Sequence, residues 1–466
     1  MSFFKKILSN LPEVQGPTQK RLSFKQKVKW TLIILVAFFG LGLIPLYGLG
    51  ANELAQFEYL SIILGAQFGS LLSLGIGPLV TASIVLQLLN GSGLINFDLT
   101  TSDGKRTFHG LQKILGIFFV IFEAIIYVMM GGLAPAPGLE SSTFFVVQLA
   151  LIGQLILGGI IIMGMAEIVD KWGFGQGISI FIAAGVSSQI IIRAFSPLTS
   201  TGLLAFGSSQ PAIGTIWVLF ASLMNGDTIG ASIALSTIIG TIIVFVMAVY
   251  AQAMKVEIPL SFGRIRGHGI RWPLNFLYTS NIPVILVAAL MANVQLWARL
   301  LQNWGFPILG TFAGGQPVSG FVVWMFSPNL VERVITGAFV PQDILQAFVY
   351  VLFFVVGSVI FSFFWVQTSG MDAKSQAKQI MSSGLQIPGF RRDQRVLESI
   401  LNRYIMPLTV MGGALVGILA ASADLLGALS RGTGILLAVM IIYKLYEEIA
   451  KQHMMDMHPA MRKFME

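Results

Sequence analysis

Long apolar runs recur along the chain, separated by short polar segments. A membrane crossing needs about 20 apolar residues, and eight runs reach or approach that length: 30–49, 114–133, 144–166, 178–195, 232–251, 282–301, 344–365 and 405–423. Two further runs, 78–90 and 434–446, are shorter or interrupted. The pattern predicts an all-α polytopic membrane protein with ten transmembrane helices and both termini on one side.

The basic residues support this number of crossings. If the N-terminus is cytoplasmic, all but four of the 29 lysines and arginines fall on the cytoplasmic side; the exceptions are Arg193, Arg299, Arg333 and Arg431. Cytoplasmic loops of membrane proteins carry such an excess. Because a missed span would reverse every later loop, the bias predicts ten crossings and cytoplasmic termini.

One stretch differs from an ordinary membrane helix: "LSLGIGPLVTASIVLQLLNGSG", residues 72–93. Gly75, Gly77 and Pro78 interrupt it, and a helix over 79–89 rises only about 16 Å, half of the hydrocarbon core. Broken backbone at membrane depth is tolerated only inside protein or beside a wet cavity. We expect the chain to enter, break near Gly75, and leave by a second helix. The alternative is a glycine-notched span packed against a neighbour.

Composition narrows the chemistry. The chain is 55% hydrophobic and 11% charged, with a mean hydropathy of +0.80, whereas soluble domains have about 25% charged residues. It has no cysteine, which excludes disulfides, iron–sulfur clusters and thiol catalysis. Its four histidines are scattered, so we expect no metal site and no cofactor.

Motifs of membrane-embedded and nucleotide-driven enzymes are absent from the sequence. No histidine begins an H-E-x-x-H motif, and the Gly226–Asp227 pair is preceded by Met224 instead of the glycine of a G-x-G-D motif. Gly104–Lys105 lacks the upstream glycine of a phosphate-binding loop, because Leu99 occupies that position. We therefore expect a protein that is not an enzyme.

Six motifs, in order along the chain, resemble the SecY family, the channel subunit of the Sec protein translocase. They are "LGIGPLVTASIVLQLLNGSG" (74–93), "GQGISIFIAAGVS" (175–187), "YAQAMKVEIPLSFGRIRG" (250–267), "YTSNIPVILVAALMANVQLW" (278–297), "GFRRDQRVLESILNRYIMPLTVMGGALVG" (389–417) and "GALSRGTGILL" (427–437). The form "YTSNIPVIL" resembles the archaeal and eukaryotic branch. The resemblance implies two pseudo-symmetric five-helix halves, arranged as a clamshell around an hourglass pore.

The resemblance also implies a pore constriction and a plug. The constriction, called the pore ring below, carries over onto Ile76, Val80, Ile178, Ile182, Ile285 and Leu437. The plug corresponds to residues 57–68, with Phe57, Leu60, Ile62, Ile63, Leu64, Gly65 and Phe68 as its apolar and small residues. Aliphatic side chains contact a passing polypeptide without directional bonds, and an empty apolar constriction opposes ion flow by dewetting. From the residues alone, these side chains are also typical of plain core.

A lateral gate is implied between the second and third helices on one side and the seventh and eighth on the other. Three polar residues, the gate cluster, carry over to it: Thr81, Glu123 and Asn293. A charged group inside a membrane is costly and is commonly functional. Glu123 is interpreted either as part of a cluster that holds the gate shut or as a static interhelical hydrogen bond.

Two basic loops predict contacts with a partner. The resemblance implies that Arg264, Arg266, Arg391 and Arg392 contact the ribosome, and guanidinium groups suit ribosomal RNA phosphates. The same charges, part of a net +8, also fit plain positive-inside topology or anionic lipid. Further expected partners are two small membrane subunits (SecE/gamma and beta), signal sequences, unfolded polypeptides and the lipid bilayer.

The predicted function is a protein-conducting channel of the cell membrane, which also releases helices sideways into lipid. The alternative is a secondary transporter with broken helices and inverted repeats, although Glu123 is essentially its only carboxylate at membrane depth. The predicted divisions are an amphipathic cytoplasmic segment (1–28), helices one to six with the plug (29–253), a basic loop (254–275), helices seven and eight with an external segment (276–368), a second basic loop (369–403), helices nine and ten (404–450) and a cytoplasmic tail (451–466).

Overall fold

A computed structural model describes residues 13–19, 22–54, 64–91, 94–95, 97, 101–138, 140–199, 203–205, 210–262, 269–382, 385–386, 393–429 and 431–457. Its helices, in chain order, are α1 (Phe24–Gly42), α2 (Gly77–Gly91), α3 (Ser102–Met129), α4 (Ser141–Trp172), α5 (Gly177–Phe195), α6 (Thr215–Asn225), α7 (Thr228–Ala253), α8 (Ile282–Asn303), α9 (Phe321–Trp324), α10 (Leu330–Ile335), α11 (Pro341–Thr368), α12 (Ala373–Ser382), α13 (Gln394–Leu425) and α14 (Gly432–Met457). Its strands are β1 (Leu49–Asn52), β2 (Leu133–Pro135), β3 (Lys255–Phe262), β4 (Gly269–Asn275), β5 (Thr311–Ala313), β6 (Gln316–Ser319) and β7 (Leu385–Gln386).

The predicted ten-crossing, all-α fold is confirmed. Among the described residues, seven helices are long and apolar enough to cross a membrane by length and composition alone: α3, α4, α5, α7, α8, α11 and α13. The other three crossings are α1, α2 and α14. Lysines occupy the first turns of α1, charged residues occupy the second half of α14, and α2 has only 15 residues.

The helices form two halves that meet along two seams. In the first half α2 packs on α3, α3 on α4, and α4 on both α1 and α5; in the second, α13 packs on α11 and α14, and α14 also on α7. At one seam α2 contacts both α8 and α11, and at the other α5 contacts α14. We call the end of the bundle where α1 begins and α14 ends the terminal face, and the other end the opposite face.

The first crossing ends earlier than predicted. The apolar run 30–49 suggested a helix to residue 49, but α1 covers Phe24–Gly42. The chain then turns through Pro45, whose ring cannot continue a helix, and β1 pairs antiparallel with β2. The helix also includes the lysine-bearing turn before the apolar run. The long lysine side chains can reach the water interface from this end of the span.

The segment predicted as a basic loop at 254–275 is largely a β-hairpin. Strands β3 and β4 pair in antiparallel register from Lys255–Asn275 to Ser261–Gly269. β7, from the second basic segment, pairs with β3 at Ser261 and Phe262. That second segment, predicted as loop over 369–403, also contains α12 and the first ten residues of α13. This local order lies outside the membrane-length apolar runs, so hydropathy gives no signal for it.

The predicted break in the second crossing is present. Residues 64–76 form turns, and α2 begins at Gly77 with Pro78 in its first turn, where a missing N–H costs nothing. Gly75 has a φ of +54°, and a Cβ at this position would lie 2.3 Å from the Leu64 carbonyl oxygen. Only glycine satisfies both conditions. No helix precedes the break over residues 64–76, and 57–63 lie outside the described residues.

Candidate functional site

The six aliphatic residues of the predicted pore ring come from four helices and lie in one hydrophobic cluster. Ile76 precedes α2, Val80 belongs to α2, Ile178 and Ile182 to α5, Ile285 to α8 and Leu437 to α14. Five of these side chains are buried, and Ile178 is partly buried against the same cluster. Because α2 and α5 belong to one half and α8 and α14 to the other, the cluster joins both halves.

The end of the predicted plug lies directly against this cluster. The Leu64 carbonyl accepts a hydrogen bond from the Ile76 N–H at 2.8 Å. A methyl group added at Gly65 would lie 3.8 Å from the Ile76 side chain and 3.9 Å from the Phe38 ring. The Phe38 and Phe181 rings stack beside it with centroids 4.7 Å apart. The segment before the break therefore contacts the ring instead of facing lipid.

The predicted plug residues divide into two groups. Leu64 is fully buried and Phe68 is half-buried, with its carbonyl accepting a hydrogen bond from Asn52 Nδ2 at 3.1 Å. Four predicted plug residues lie outside the described residues: Phe57, Leu60, Ile62 and Ile63. The position of the plug is therefore defined at its C-terminal end, where it joins the ring.

In the gate cluster, Thr81 lies within hydrogen-bonding distance of both Asn293 and Glu123. Asn293 Nδ2 on α8 donates to Thr81 Oγ1 at 2.8 Å, and Thr81 Oγ1 lies 3.3 Å from Glu123 Oε1 on α3. All three side chains are buried. Thr81 Oγ1 also lies 2.9 Å from the Gly77 carbonyl. The cluster thus connects α2 and α3 of one half to α8 of the other across the seam.

Gly77 lies between the end of the predicted plug and the gate cluster. A Cβ at Gly77 would lie 3.4 Å from Glu123 Oε2 and 3.6 Å from a Leu64 methyl carbon. The Leu64 side chain packs in a second hydrophobic cluster with residues of both gate-lining helices, among them Ala124 on α3 and Ala292 on α8. Movement of Leu64 therefore changes the surroundings of the Glu123 carboxylate. The sequence indicated the plug and the gate separately but not this contact.

An ion pair that the sequence analysis missed joins the halves at the opposite face. Arg299 Nη2, in the last turns of α8, lies 3.4 Å from Glu53 Oε2. Glu53 follows β1, and its backbone N–H donates to the Gly132 carbonyl at 3.1 Å. Beside the pair, a Cβ at Gly132 would lie 3.0 Å from a Leu300 methyl carbon. The only signal was an arginine on the side of the membrane that is otherwise poor in basic residues.

A buried carboxylate holds the start of α14. Asp424, near the end of α13, accepts a hydrogen bond from the Thr433 backbone N–H at 2.7 Å and from the Tyr350 hydroxyl on α11 at 2.6 Å. The Thr433 hydroxyl also donates to Asp424 Oδ2. Leu437 of the pore ring follows one helical turn after Thr433, so this network fixes the helix that presents it.

A cavity of about 440 Å³ adjoins the pore ring on the side of the terminal face. Val80, Ile178 and Ile285 of the ring line it, and polar side chains including Gln87 and Asp170 line the remainder. Within the part of the chain that the structure describes, no group of three or more histidine, aspartate or glutamate residues is placed to hold a metal ion. The cavity is thus lined by aliphatic residues of the predicted pore ring at one side and by polar side chains elsewhere.

The predicted ribosome-contacting arginines lie outside the described residues: Arg264, Arg266, Arg391 and Arg392. The strands that lead to them are described. β3 precedes the first pair, β7 precedes the second, and the two strands are hydrogen-bonded at Phe262 and Leu385. Two basic segments about 125 residues apart in sequence therefore begin at one place on the terminal face.

Comparisons with known proteins agree on one family. The family model for SecY matches residues 70–446. The protein translocase subunit SecY of Methanothermobacter thermautotrophicus is 44% identical, covering 99% of this chain and 98% of that protein. Two solved structures, "The structure of a protein conducting channel" and "Sec61 in the Canine ribosome-channel complex from the endoplasmic reticulum", have TM-scores of 0.83 and 0.80; both are 42% identical and cover 97% of this chain and 98% of theirs. The chain therefore belongs to the SecY family, in its archaeal and eukaryotic branch.

Proposed function

We propose that this protein is the channel subunit of a protein translocase, which passes unfolded polypeptides across the membrane and releases apolar helices sideways into lipid. The observation that carries the proposal is the broken second crossing, in which Leu64 and Gly65, the end of the predicted plug, lie against Ile76 of the predicted pore ring. A ring of branched aliphatics offers a passing chain no hydrogen bonds, so it can close around any sequence without holding it.

We further propose that the seam of α2 and α3 with α8 and α11 is the lateral gate. Thr81, Glu123 and Asn293 hold it closed through buried hydrogen bonds. An entering signal helix replaces these polar contacts with apolar ones and separates the seam. Substitutions Glu123→Ala and Asn293→Leu should change the minimum signal hydrophobicity that permits insertion. An unchanged minimum in both variants would remove the gating role.

The terminal face is proposed to be cytoplasmic and to receive the ribosome. This orientation, in a multi-pass protein of the cell membrane, is supported by the lysine and arginine bias of the sequence. Joined strands β3 and β7 suit a single protruding platform for Arg264, Arg266, Arg391 and Arg392. SecE/gamma and beta subunits complete the proposed complex. The sequence lacks a phosphate-binding loop of the G-x-x-x-x-G-K-[ST] type, so the proposed driving force is a partner such as the translating ribosome.

A ribosome-binding measurement tests the platform. Charge reversal by Arg264→Glu and Arg391→Glu should weaken ribosome binding steeply at physiological salt, because each reversal removes a phosphate contact. The affinity should also depend less on salt concentration. The matched control is Lys378→Glu, an exposed lysine on α12. Equal effects of all three reversals would indicate bulk charge instead of a defined contact.

Single-channel recording tests the conduit itself and separates it from the secondary transporter. The reconstituted protein with its small subunits should show little conductance, and deletion of residues 57–68 should produce frequent openings. A carrier has no continuous aqueous path in either form, so it would show none. Absence of openings after the deletion, in protein that still folds, would contradict the channel.

A further inference from the structure

The external segment that follows the gate helix α8 exposes large apolar side chains. Trp304, Phe306 and Ile308 alternate along the chain and are 63%, 62% and 80% exposed. We call these three residues the outer patch. From residue 300 to residue 331 the sequence has no aspartate, glutamate, lysine or arginine. An exposed tryptophan and phenylalanine in a charge-free segment are typical of contact with an apolar or interfacial partner.

The outer patch is rigidly fixed to α8. The Gly305 N–H donates to the Gln302 carbonyl at 3.0 Å, and the Phe306 N–H donates to the Leu301 carbonyl at 2.9 Å. Gly305 has a φ of +86°. These two bonds around a left-handed glycine form a complete Schellman motif, which ends a helix with a defined exit direction. Trp304 and Phe306 therefore move with the gate helix.

A second set of contacts connects the same helix end to the β5–β6 hairpin. The Gln302 side chain accepts from the Phe312 N–H at 2.7 Å and donates to the Phe312 carbonyl at 3.1 Å. The amide pairs with backbone as a neighbouring strand would. The hairpin thus braces the outer patch from the side and leaves its apolar side chains outward.

The depth of the outer patch follows from the length of α8. This helix has 22 residues and rises about 33 Å, slightly more than the hydrocarbon thickness of about 30 Å. Trp304, directly after it, is therefore placed at the water interface of the leaflet at the opposite face. Tryptophan is enriched at that depth, because its amphipathic ring suits the headgroup level.

We propose that the outer patch is a membrane anchor, which inserts Trp304, Phe306 and Ile308 into the headgroup layer of the leaflet at the opposite face. The absence of charge over 300–331 makes insertion possible without burying an ion, and the Schellman motif transmits the anchoring to α8. α8 also carries Asn293 of the gate cluster and Ile285 of the pore ring. The anchor keeps the outer end of the gate helix at the lipid surface when the gate moves.

Site-directed spin labelling tests the anchor cleanly because the chain has no cysteine. Trp304→Cys, Phe306→Cys and Ile308→Cys would each carry a nitroxide in the complete complex, reconstituted in phosphatidylcholine and phosphatidylglycerol liposomes. The control is Gln316→Cys, an exposed polar position on the braced hairpin. Since all four side chains are largely outside the core, the variants should fold.

Collision rates with oxygen, which partitions into lipid, and with a nickel chelate, which stays in water, give the result. The proposal predicts that the three patch labels have an oxygen-to-nickel ratio several-fold above that of the Gln316→Cys label, corresponding to a depth of about 5–10 Å. Ratios equal to that of the control would place the patch in water and overturn the proposal. Low collision rates with both reagents would show that protein covers the patch, which also overturns it.

Discussion

Replacing Thr81 by valine removes the central hydroxyl of the gate cluster while keeping a side chain of similar shape. The substitution deletes the hydrogen bond from Asn293 Nδ2 and the contact with Glu123 Oε1. Of these two contacts only the bond from Asn293 crosses the seam, and interhelical hydrogen bonds in membranes average about 0.6 kcal/mol each, so the closed seam should lose about 0.6 kcal/mol. That loss raises the ratio of open to closed gate about threefold, since about 1.4 kcal/mol corresponds to tenfold.

The assay is insertion of a signal-sequence series that differs by single leucines. A central leucine contributes about 0.3–0.6 kcal/mol to membrane insertion, so Thr81→Val should accept signals about one to two leucines less hydrophobic than wild type does. The matched control is Thr409→Val on α13, a buried threonine whose hydroxyl bonds the Ile405 carbonyl of its own helix. An unchanged or raised requirement in Thr81→Val, or an equal shift in the control, would refute the gating role.

Two further predictions concern the plug and the opposite face. Gly75→Ala should make the resting channel leak ions, because the new methyl group would displace the Leu64 carbonyl. The control is Gly131→Ala: Gly131 also has a positive φ, but open space surrounds it, so this variant should not leak in the same bilayer recordings. Leakage in both variants, or in neither, would contradict the contact. Arg299→Glu should relax signal selectivity by at most about 1 kcal/mol, as for a partly exposed ion pair, and Glu53→Arg in the same chain should restore most of it. If Glu53→Arg does not restore selectivity in a translocation assay, the Glu53–Arg299 ion pair does not help to hold the gate closed.

Features set by local chemistry could be read from the sequence. Apolar length and the lysine and arginine bias predicted ten crossings, and glycine and proline chemistry predicted the break at Gly75–Pro78. Both are local properties: a helix cannot continue through a glycine that must adopt positive φ and approach the Leu64 carbonyl so closely. The first crossing was misplaced at its end because apolar residues after Gly42 form turns and strand β1, which hydropathy does not distinguish from helix.

Contacts between distant segments could not be read in the same way. Glu53 and Arg299 are 246 positions apart and meet only because the two halves close. β7 and β3 pair over two residues, too few for any periodic signal. The family resemblance supplied the identities of the ring and gate residues. The structure adds their contacts: Leu64 lies against Ile76 of the ring and close to Glu123. The roles of these residues stay predictions.

Disulfide trapping of a translocating chain is the most direct test of the channel. Single cysteines can be placed at Ile285 of the pore ring and at Val246, which is 58% exposed on the lipid-facing side of α7. A stalled secretory polypeptide with one cysteine along its length should form a disulfide with Ile285→Cys and not with Val246→Cys. Continued translocation with no disulfide at Ile285→Cys, or equal trapping at both positions, would show that polypeptides do not pass through the ring.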